Sequence, residues 1–254
     1  MVRAASVSGA RASSRRGGAT AGPCGDGRVG AGEQCDDGNR RDVDGCTNAC
    51  SFGAVVLGGN AATHVAAAFA MIGQAVTRGE GTLAAPVGGG VIVTSLDGGT
   101  GALTEYDTFL RAGGHVLVIG GSNSEPFYAW IRRYLNQTGR TDAPGWQQIM
   151  CAPHYARAEA HPITRLLPET HSFAMSNVSY HMVRFAASQP EGVTILANTC
   201  LSGDRGSIAV RRYPDGGTFT YVAYDIGQYG DATTEREFVA PLLRGYLDFV
   251  RSPP

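Results

Sequence analysis

The sequence lacks lysine, lacks an excess of charge of either sign and lacks any long apolar run. All 21 basic residues are arginine and stand against 22 acidic residues, so the formal net charge is −1. A nucleic-acid-binding protein needs a basic face, and this balance therefore excludes nucleic acid as the expected partner. The longest apolar runs, such as 66–72 and 116–119, are well short of the roughly 20 residues that cross a bilayer, so we expect no transmembrane segment.

Residues 1–22 contain no apolar stretch of the kind that follows the basic start of a signal peptide. They consist mainly of Ala, Ser, Gly and Arg, and nothing apolar follows Arg15 and Arg16. Because such a low-complexity composition buries too little apolar surface to offset chain entropy, we expect a disordered linker here. The alternative is a misassigned start. The absence of lysine beside abundant Gly and Ala is typical of GC-rich bacterial coding.

The six cysteines divide into a group of four within 23–51 and a separate pair, Cys151 and Cys200. The group consists of Cys24, Cys35, Cys46 and Cys50. Zinc sites usually present paired Cys-x2-4-Cys knuckles, but only Cys46 and Cys50 are that close, and the segment contains no histidine. Disulfides are favoured, because so short a segment with little apolar content needs crosslinks of roughly 2–4 kcal/mol each. The second pair is also interpreted as a disulfide.

The cysteine-rich segment has a specific motif. Cys24-Gly-Asp-Gly is followed by Gly-Glu-Gln-Cys35-Asp-Asp-Gly-Asn, then by Asp-Gly-Cys46 and Cys50. This pattern resembles the myxobacterial cysteine-rich repeat of secreted and surface proteins, although the residue two before Gly45 is Val43 where the repeat usually has Gly. The resemblance implies a small disulfide-rich module at 23–51 and an extracellular or cell-envelope location. It implies no particular activity.

The module is also rich in hard oxygen donors beside glycines. These residues are Asp26, Asp36, Asp37, Asn39, Asp42 and Asp44. Calcium takes six to eight such oxygen ligands, so the set is a candidate calcium site. The alternative is that the Asp-Gly and Gly-Asn pairs build tight turns whose carboxylates accept hydrogen bonds from backbone N–H groups. The spacing does not match an EF-hand loop, since no Glu stands at the closing position.

Residues 52–254 alternate buried-type strands with amphipathic helices. Strands are predicted at 52–57, 91–94, 115–119, 193–198, 207–213 and 218–224, the last two as a hairpin about 214–217. Helices are predicted at 61–76, 104–112, 124–138 and 234–250. This alternation indicates a flavodoxin-like, doubly wound α/β domain with a mainly parallel sheet and helices on both faces.

Four phrases, at 101–107, 112–121, 161–165 and 216–224, resemble the class I glutamine-amidotransferase-like superfamily, and in particular its ThuA-like branch. The resemblance implies the same α/β fold and an association with sugars. The family's nucleophilic cysteine is missing from the turn at 120–124. Its His-x-Glu pair is missing too, because His154, His161, His171 and His181 are followed two positions later by Ala, Ile, Phe and Val. Amidotransfer by a cysteine is therefore excluded.

Ser122 is the remaining candidate nucleophile. It lies in the turn after the third predicted strand, and a serine needs an adjacent base, which would come from the histidines between 154 and 181, with His154 and His161 as the first candidates. The favoured alternative is that Ser122 and Asn123 cap the following helix. The spacing of those histidines does not suit a zinc site.

Ligands of open α/β sheets bind outside the carboxyl ends of the strands, at the point where the strand order reverses. The candidate ligand-binding residues at that edge are Gly59, Asn60, Ser95, Asp97, Gly121, Ser122 and Asn123, which Tyr224, Asp225 and Gln228 extend. Three hypotheses follow. The leading one is an exported or surface-associated protein with a degenerate, non-catalytic amidotransferase-like domain that binds a polar ligand, for example a carbohydrate. The others are a serine hydrolase and a purely structural surface protein.

The cysteine assignment gives a first testable prediction. In the exported protein Cys24, Cys35, Cys46 and Cys50 are expected to be fully oxidised, since the module has almost no core of its own. Thiol titration under denaturing, non-reducing conditions measures this. Four free thiols from the module would contradict the prediction and favour a metal site.

Overall fold

A computed structural model gives the structure of the protein. It describes residues 24–28, 30, 33, 36, 38, 48–50, 56–58, 61–74, 76–78, 91–94, 106–111, 113–120, 125–136, 147–150, 154–173, 179–182, 192–198, 206–214, 216–224, 226 and 230–251.

The described chain forms one large mixed sheet and one small antiparallel pair. The strands are β1 (Val56–Gly58), β2 (Thr77–Arg78), β3 (Val91–Thr94), β4 (His115–Ile119), β5 (Gln147–Met150), β6 (His154–Arg157), β7 (Thr170–Ser172), β8 (Ser179–Met182), β9 (Val193–Asn198), β10 (Gly206–Arg212) and β11 (Thr218–Val222). The large sheet has the order β2-β1-β3-β4-β11-β10-β9-β6-β7, and β5 pairs with β8. The α/β class predicted from the sequence is confirmed.

The large sheet is parallel in one half only. Neighbours from β2 to β11 are parallel, whereas those from β11 through β10, β9 and β6 to β7 are antiparallel. The prediction of a mainly parallel sheet therefore holds for only half of the pairs of neighbouring strands. The physical reason is connection length, because the five residues 213–217 between β10 and β11 allow a hairpin but are too few for a parallel crossover.

Helix α1 (Ala62–Met71) buries Val65, Ala68 and Phe69, which share one face at the helical period. It is shorter than the predicted 61–76, because Gly73 has a φ of 76° and the amide of Gln74 donates back to Phe69 O, which ends the helix. The chain then forms β2, a short edge strand that the sequence analysis did not predict. The remaining α-helices of the middle region are α2 (Asp107–Arg111) and α3 (Glu125–Tyr134).

The C-terminal helix, a name used here for residues 232–251, consists of an α-helical turn at Ala232–Thr234, a π-helical segment at Glu235–Val239 and an α-helix at Ala240–Arg251. Asp231 caps it, since its carboxylate accepts a hydrogen bond of 2.6 Å from the Thr234 amide. That bond is the main reason why the pKa of Asp231 is lowered.

Helices cover both faces of the sheet. On one face Phe219 of β11 stacks on Tyr134 of α3, with ring centroids 4.8 Å apart. The neighbouring Thr218 points to the other face, where it lies near Tyr246 of the C-terminal helix. Burial raises the pKa of the Tyr246 hydroxyl, and the interaction with Thr218 partly offsets this rise. Helix α1 packs on the C-terminal helix and so covers this second face too.

The described part of the cysteine-rich module contains a disulfide between Cys24 and Cys50, whose Cα atoms are 5.5 Å apart. Cys50 is buried and packs against Val250, near the end of the C-terminal helix. The disulfide therefore lies at the end of the sheet from which β11 starts. Cys35, Cys46, Cys151 and Cys200 lie outside the described residues.

Among the described residues, no helix is long and apolar enough to cross a membrane, as the sequence predicted.

The buried His115 generates a prediction of pH dependence. It lies at the start of β4 with its Nδ1 atom 2.9 Å from Thr218 Oγ1, and burial, with a smaller contribution from Arg212, lowers its pKa from 6.5 to about 4. The folded state therefore keeps His115 neutral while the unfolded chain takes up a proton below pH 6.5. The free energy of unfolding is expected to fall by about 1.4 kcal/mol per pH unit between pH 6.5 and 4 from this group alone.

Urea unfolding between pH 7 and 4 of the wild type and of His115→Gln measures this. The free energy of unfolding should depend less steeply on pH in the variant. Some dependence should remain, because the pKa of His161 is also lowered to about 4. Equal slopes for the two proteins would contradict the assignment.

Candidate active site

Four parallel strands end at one edge of the sheet. In register, Gly58 pairs with Thr94, Thr94 with Val118, and Ile119 with Val222, so β1, β3, β4 and β11 have their carboxyl ends side by side. We call this the carboxyl edge. Every predicted ligand-binding residue follows one of these ends in the sequence, but Gly59, Asn60, Ser95, Asp97, Gly121, Ser122, Asn123, Asp225 and Gln228 lie outside the described residues.

A histidine–glutamate pair lies at this edge. His64 stands in the first turn of α1, shortly after β1, and Glu235 begins the π-helical segment of the C-terminal helix, after β11. His64 Nδ1 is 2.7 Å from Glu235 Oε1. The two side chains are 24% and 14% exposed, so the pair is largely shielded but reachable from solvent.

The pair joins two helices that each follow a strand of the parallel half. Helix α1 follows β1 and the C-terminal helix follows β11, while β3 and β4 lie between these two strands. Both helices therefore begin after strands that end at the same edge as the carboxyl ends of β3 and β4. Those are the ends from which Ser95, Asp97, Gly121, Ser122 and Asn123 follow in the sequence. Topology thus brings the pair to the predicted ligand edge.

Gly230 holds the imidazole from a second side. A Cβ atom at this position would lie 2.7 Å from His64 Cγ and 2.5 Å from the carbonyl oxygen of Ile226, closer than real contacts allow. The Gly230 amide donates a 2.7 Å hydrogen bond to that same Ile226 carbonyl. The backbone after β11 can therefore pack on the His64 ring only because residue 230 has no side chain, and the ring is restrained both there and at Glu235.

The hydrogen bond to Glu235 determines the tautomer of a neutral His64. Because a carboxylate only accepts, Nδ1 carries the proton and Nε2 keeps its lone pair. Within the described part of the chain, Nε2 has no hydrogen-bond partner. Such an imidazole can accept a hydrogen bond or a proton from a hydroxyl group or a water molecule, and the carboxylate stabilises the cation that results.

Of the histidines predicted as partners of Ser122, which itself lies outside the described residues, His161 lies away from the carboxyl edge. His161 Nδ1 accepts a 3.2 Å hydrogen bond from the Ile163 amide, and its ring packs on Phe249, 4.7 Å away between centroids. Phe249 stands fourteen residues after Glu235 in the C-terminal helix, which corresponds to about 20 Å along its axis. His161 is thus at the far end of the sheet from the carboxyl edge, where burial and Arg212 lower its pKa to about 4.

Strand β6 begins at the same edge of the large sheet at which β11 ends, because Ile208 pairs with Val222, and Asn198 pairs with both Gly206 and Ala156. His154 lies in β6, and His181 lies in β8 of the small sheet. The His171 ring stacks on Phe238 of the C-terminal helix, with centroids 5.5 Å apart. Tyr224, predicted to join the ligand edge, is buried and donates a 2.8 Å hydrogen bond to Ser207 Oγ, so its hydroxyl has a structural partner.

In the cysteine-rich module, Asp36 builds turns. Its Oδ2 atom accepts from the amides of Gly25 and Asp26, and its Oδ1 atom from those of Gly27 and Gly38, at 2.8–3.1 Å. These bonds, that of Gly38 foremost, lower the pKa of the carboxyl group. Such use of both oxygens favours the turn-building interpretation of this residue.

Asp26 is used similarly, because its Oδ1 atom accepts a 2.9 Å hydrogen bond from the Arg28 amide. Ligand-type atoms of Glu33, Asp36 and Cys50 lie within 4.8 Å of one another, but the Cys50 sulfur is bonded to Cys24 and offers no thiolate to a metal. Asp37, Asn39, Asp42 and Asp44 lie outside the described residues, so the calcium site stays a prediction.

The sequence analysis missed the His64–Glu235 pair. A signal was present, since His64 interrupts an otherwise Ala-rich, apolar helix directly after the first strand. Its partner stands 171 residues further on, and only the packing of α1 on the C-terminal helix makes them neighbours.

The pair is expected to contribute a measurable coupling to stability. Replacing His64 and Glu235 by alanine, singly and together, should give a coupling free energy of roughly 1 kcal/mol, as for a partly buried hydrogen bond to a charged group. Chemical denaturation of the four proteins at pH 7 measures it. Additive effects, within about 0.3 kcal/mol, would show that the two side chains do not interact.

No family model and no curated protein matches this chain. Among solved structures, a cytoplasmic protein from Salmonella typhimurium LT2 is 14% identical, with 77% of this chain and 88% of that chain covered and a TM-score of 0.49. The carbohydrate deacetylase Agd3 is 14% identical, with coverages of 76% and 32% and a TM-score of 0.48. A Thermoplasma acidophilum protein assigned to GMP synthase is 10% identical, with coverages of 78% and 94% and a TM-score of 0.47. Likeness at this level does not carry an activity from one chain to another.

Proposed function

We propose that the protein is an exported or surface-associated recognition protein whose α/β domain binds a neutral, hydroxyl-rich ligand, such as a carbohydrate, at the carboxyl edge. The observation that carries this proposal is the His64–Glu235 pair, which holds a partly exposed imidazole between two helices that begin after strands of the parallel half. A neutral imidazole with Nδ1 protonated offers an acceptor at Nε2, and the Glu235 carboxylate offers further acceptors, and such groups bind hydroxyls.

The strand order supports the location. Numbered along the chain, the five parallel strands β2-β1-β3-β4-β11 have the order 2-1-3-4-5. This order is that of flavodoxin-like sheets, in which the ligand lies beyond the carboxyl ends of the first and third strands. We therefore propose a flavodoxin-like, amidotransferase-like core over this half of the sheet, in line with the ThuA-like phrases of the sequence. The antiparallel strands from β10 to β7 extend it.

Local charge favours a neutral ligand over a phosphate or a carboxylate. Helix N-termini attract anions, but the N-terminus of the C-terminal helix is already occupied by the Asp231 carboxylate, and Glu235 stands one turn further. Both negative charges would repel an anion at this point. Hydroxyl groups meet no such penalty.

The disulfide between Cys24 and Cys50 supports an oxidising location, because disulfides persist in extracellular and envelope proteins. The resemblance of the module to a repeat of secreted and surface proteins points the same way. We also propose that the module binds calcium, on the basis of the acidic residues in its sequence.

The test is calorimetric titration of neutral oligosaccharides into the full chain, each beside its phosphorylated counterpart. A neutral ligand should bind, its phosphorylated form should bind more weakly, and His64→Ala should weaken binding at least ten-fold, about 1.4 kcal/mol, through loss of one hydrogen bond. Arg165→Ala is the matched control, since this exposed residue pairs with Asp248 toward the far end of the C-terminal helix.

If His64→Ala leaves the affinity unchanged, the ligand binds elsewhere on the protein. Tighter binding of the phosphorylated forms would contradict the neutral ligand class. The absence of binding to every neutral oligosaccharide would favour the purely structural alternative.

A further inference from the structure

We infer that the His64–Glu235 pair is an acid–base dyad, and that the carboxyl edge hydrolyses O-acyl esters of the hydroxyl-rich ligand through a water molecule activated by His64 Nε2. This inference rests on the proposed ligand site and adds chemistry to it. It differs from the serine hydrolase of the sequence analysis in both the base and the nucleophile.

The His64 ring is restrained in its orientation. A general base must present one nitrogen toward its substrate in a fixed direction. The 2.7 Å contact from Nδ1 to Glu235 fixes one end of the ring, and the backbone at Gly230 lies against its Cγ and Cδ2 atoms. The ring is thus restrained at Nδ1 by Glu235 and along its Cγ–Cδ2 bond by the backbone at Gly230.

The His64–Glu235 pair is not needed to hold helix α1 against the C-terminal helix. Helix α1 already buries Val65, Ala68 and Phe69, and the C-terminal helix buries Val239 and Leu243, all within the main hydrophobic core. Apolar burial of this extent stabilises the contact of the two helices by more than a partly exposed ion pair does. A pair retained only for stability would also not require an imidazole with a solvent-reachable edge.

A π-helical segment of the C-terminal helix begins at Glu235. A π-helical turn changes the direction of the side chains that precede it relative to those that follow, and such turns are frequent at functional sites. Here Phe238 packs on Tyr224 and Tyr155 on the core side, at centroid distances of 5.3 and 5.5 Å, while Glu235 faces His64. The irregular segment thus allows one stretch of helix to satisfy the core and the dyad together.

The reaction needs only water as co-reactant. His64 Nε2 takes a proton from water as the water oxygen attacks the acyl carbon, and a tetrahedral intermediate forms. The bond from that carbon to the alcohol oxygen then breaks, and the imidazolium returns its proton to the departing oxygen. The products are a carboxylic acid and the free hydroxyl. The Glu235 carboxylate stabilises the imidazolium, and such base catalysis contributes typically 10²–10⁴-fold in rate.

The test uses the full chain and glucose pentaacetate, a neutral ester of a hydroxyl-rich molecule, with acetate release followed by NMR between pH 5 and 9. Hydrolysis is expected, with a rate that rises with pH through one ionisation and falls in deuterium oxide. His64→Gln should lower kcat at least 100-fold, since glutamine keeps polarity but accepts no proton. Glu235→Gln should lower kcat and shift the pH profile, and Gly230→Ala should lower kcat by displacing the ring. Arg165→Ala should leave the rate unchanged.

The outcomes separate this inference from the proposed function. If neutral ligands bind in a His64-dependent way but the ester is not cleaved, the acid–base role is overturned and the ligand site stands. If cleavage persists in His64→Gln, or shows no solvent isotope effect, His64 is not the base. If neither binding nor cleavage occurs, both proposals fall. Circular dichroism melts of each variant establish that it is folded.

Discussion

Burial of strand β4 on both faces is the constraint on which the rest of the domain depends. All five of its residues are buried, with parallel neighbours on either side and helices above and below. Such a strand has no solvent-facing side chains, so polar function can be placed only where it ends. The same burial explains why His115, at its start, remains neutral. Along β4, apolar packing therefore confines polar contacts with a ligand to the ends of the strand.

The C-terminal helix connects the two ends of the molecule. Its 232–251 span corresponds to about 30 Å, with the His64–Glu235 contact near its beginning and the contact of Val250 with Cys50 near its end. The described part of the cysteine-rich module therefore lies at the opposite end of the domain from the candidate site.

Local patterns predicted much of the fold. The strand at 193–198, the hairpin about 214–217 and the helix at 124–138 follow from runs of apolar residues, turn residues and helical spacing, and each lies within a few residues of its position in the structure. Strands β6 and β7 of the antiparallel half and strands β5 and β8 of the small sheet were not predicted, because these segments have no strong period in the sequence. Pairing depends on contacts between distant segments.

The candidate ligand site was predicted both as an edge of the sheet and as individual residues that follow the strand ends. The strands to which the switch-point rule was applied, β1, β3, β4 and β11, do end side by side, whereas the individual residues, apart from Tyr224, lie outside the described part of the chain. Histidines were sought between 154 and 181 because four of the six cluster there, whereas the histidine that pairs with a carboxylate on the C-terminal helix is His64. A single histidine in an Ala-rich helix resembles an ordinary surface residue until the C-terminal helix supplies its carboxylate. Long-range packing, which no local pattern encodes, made the difference.

The central claim is that Glu235 holds His64 in one tautomer with Nε2 available. Nitrogen-15 NMR of histidine-labelled protein at neutral pH measures this directly, with His64→Gln used to assign the signal. The account predicts that His64 is protonated at Nδ1 and unprotonated at Nε2, and that Glu235→Gln changes its two nitrogen shifts while those of His161 stay constant. A His64 ring protonated at Nε2, or one whose shifts ignore Glu235→Gln, would contradict it.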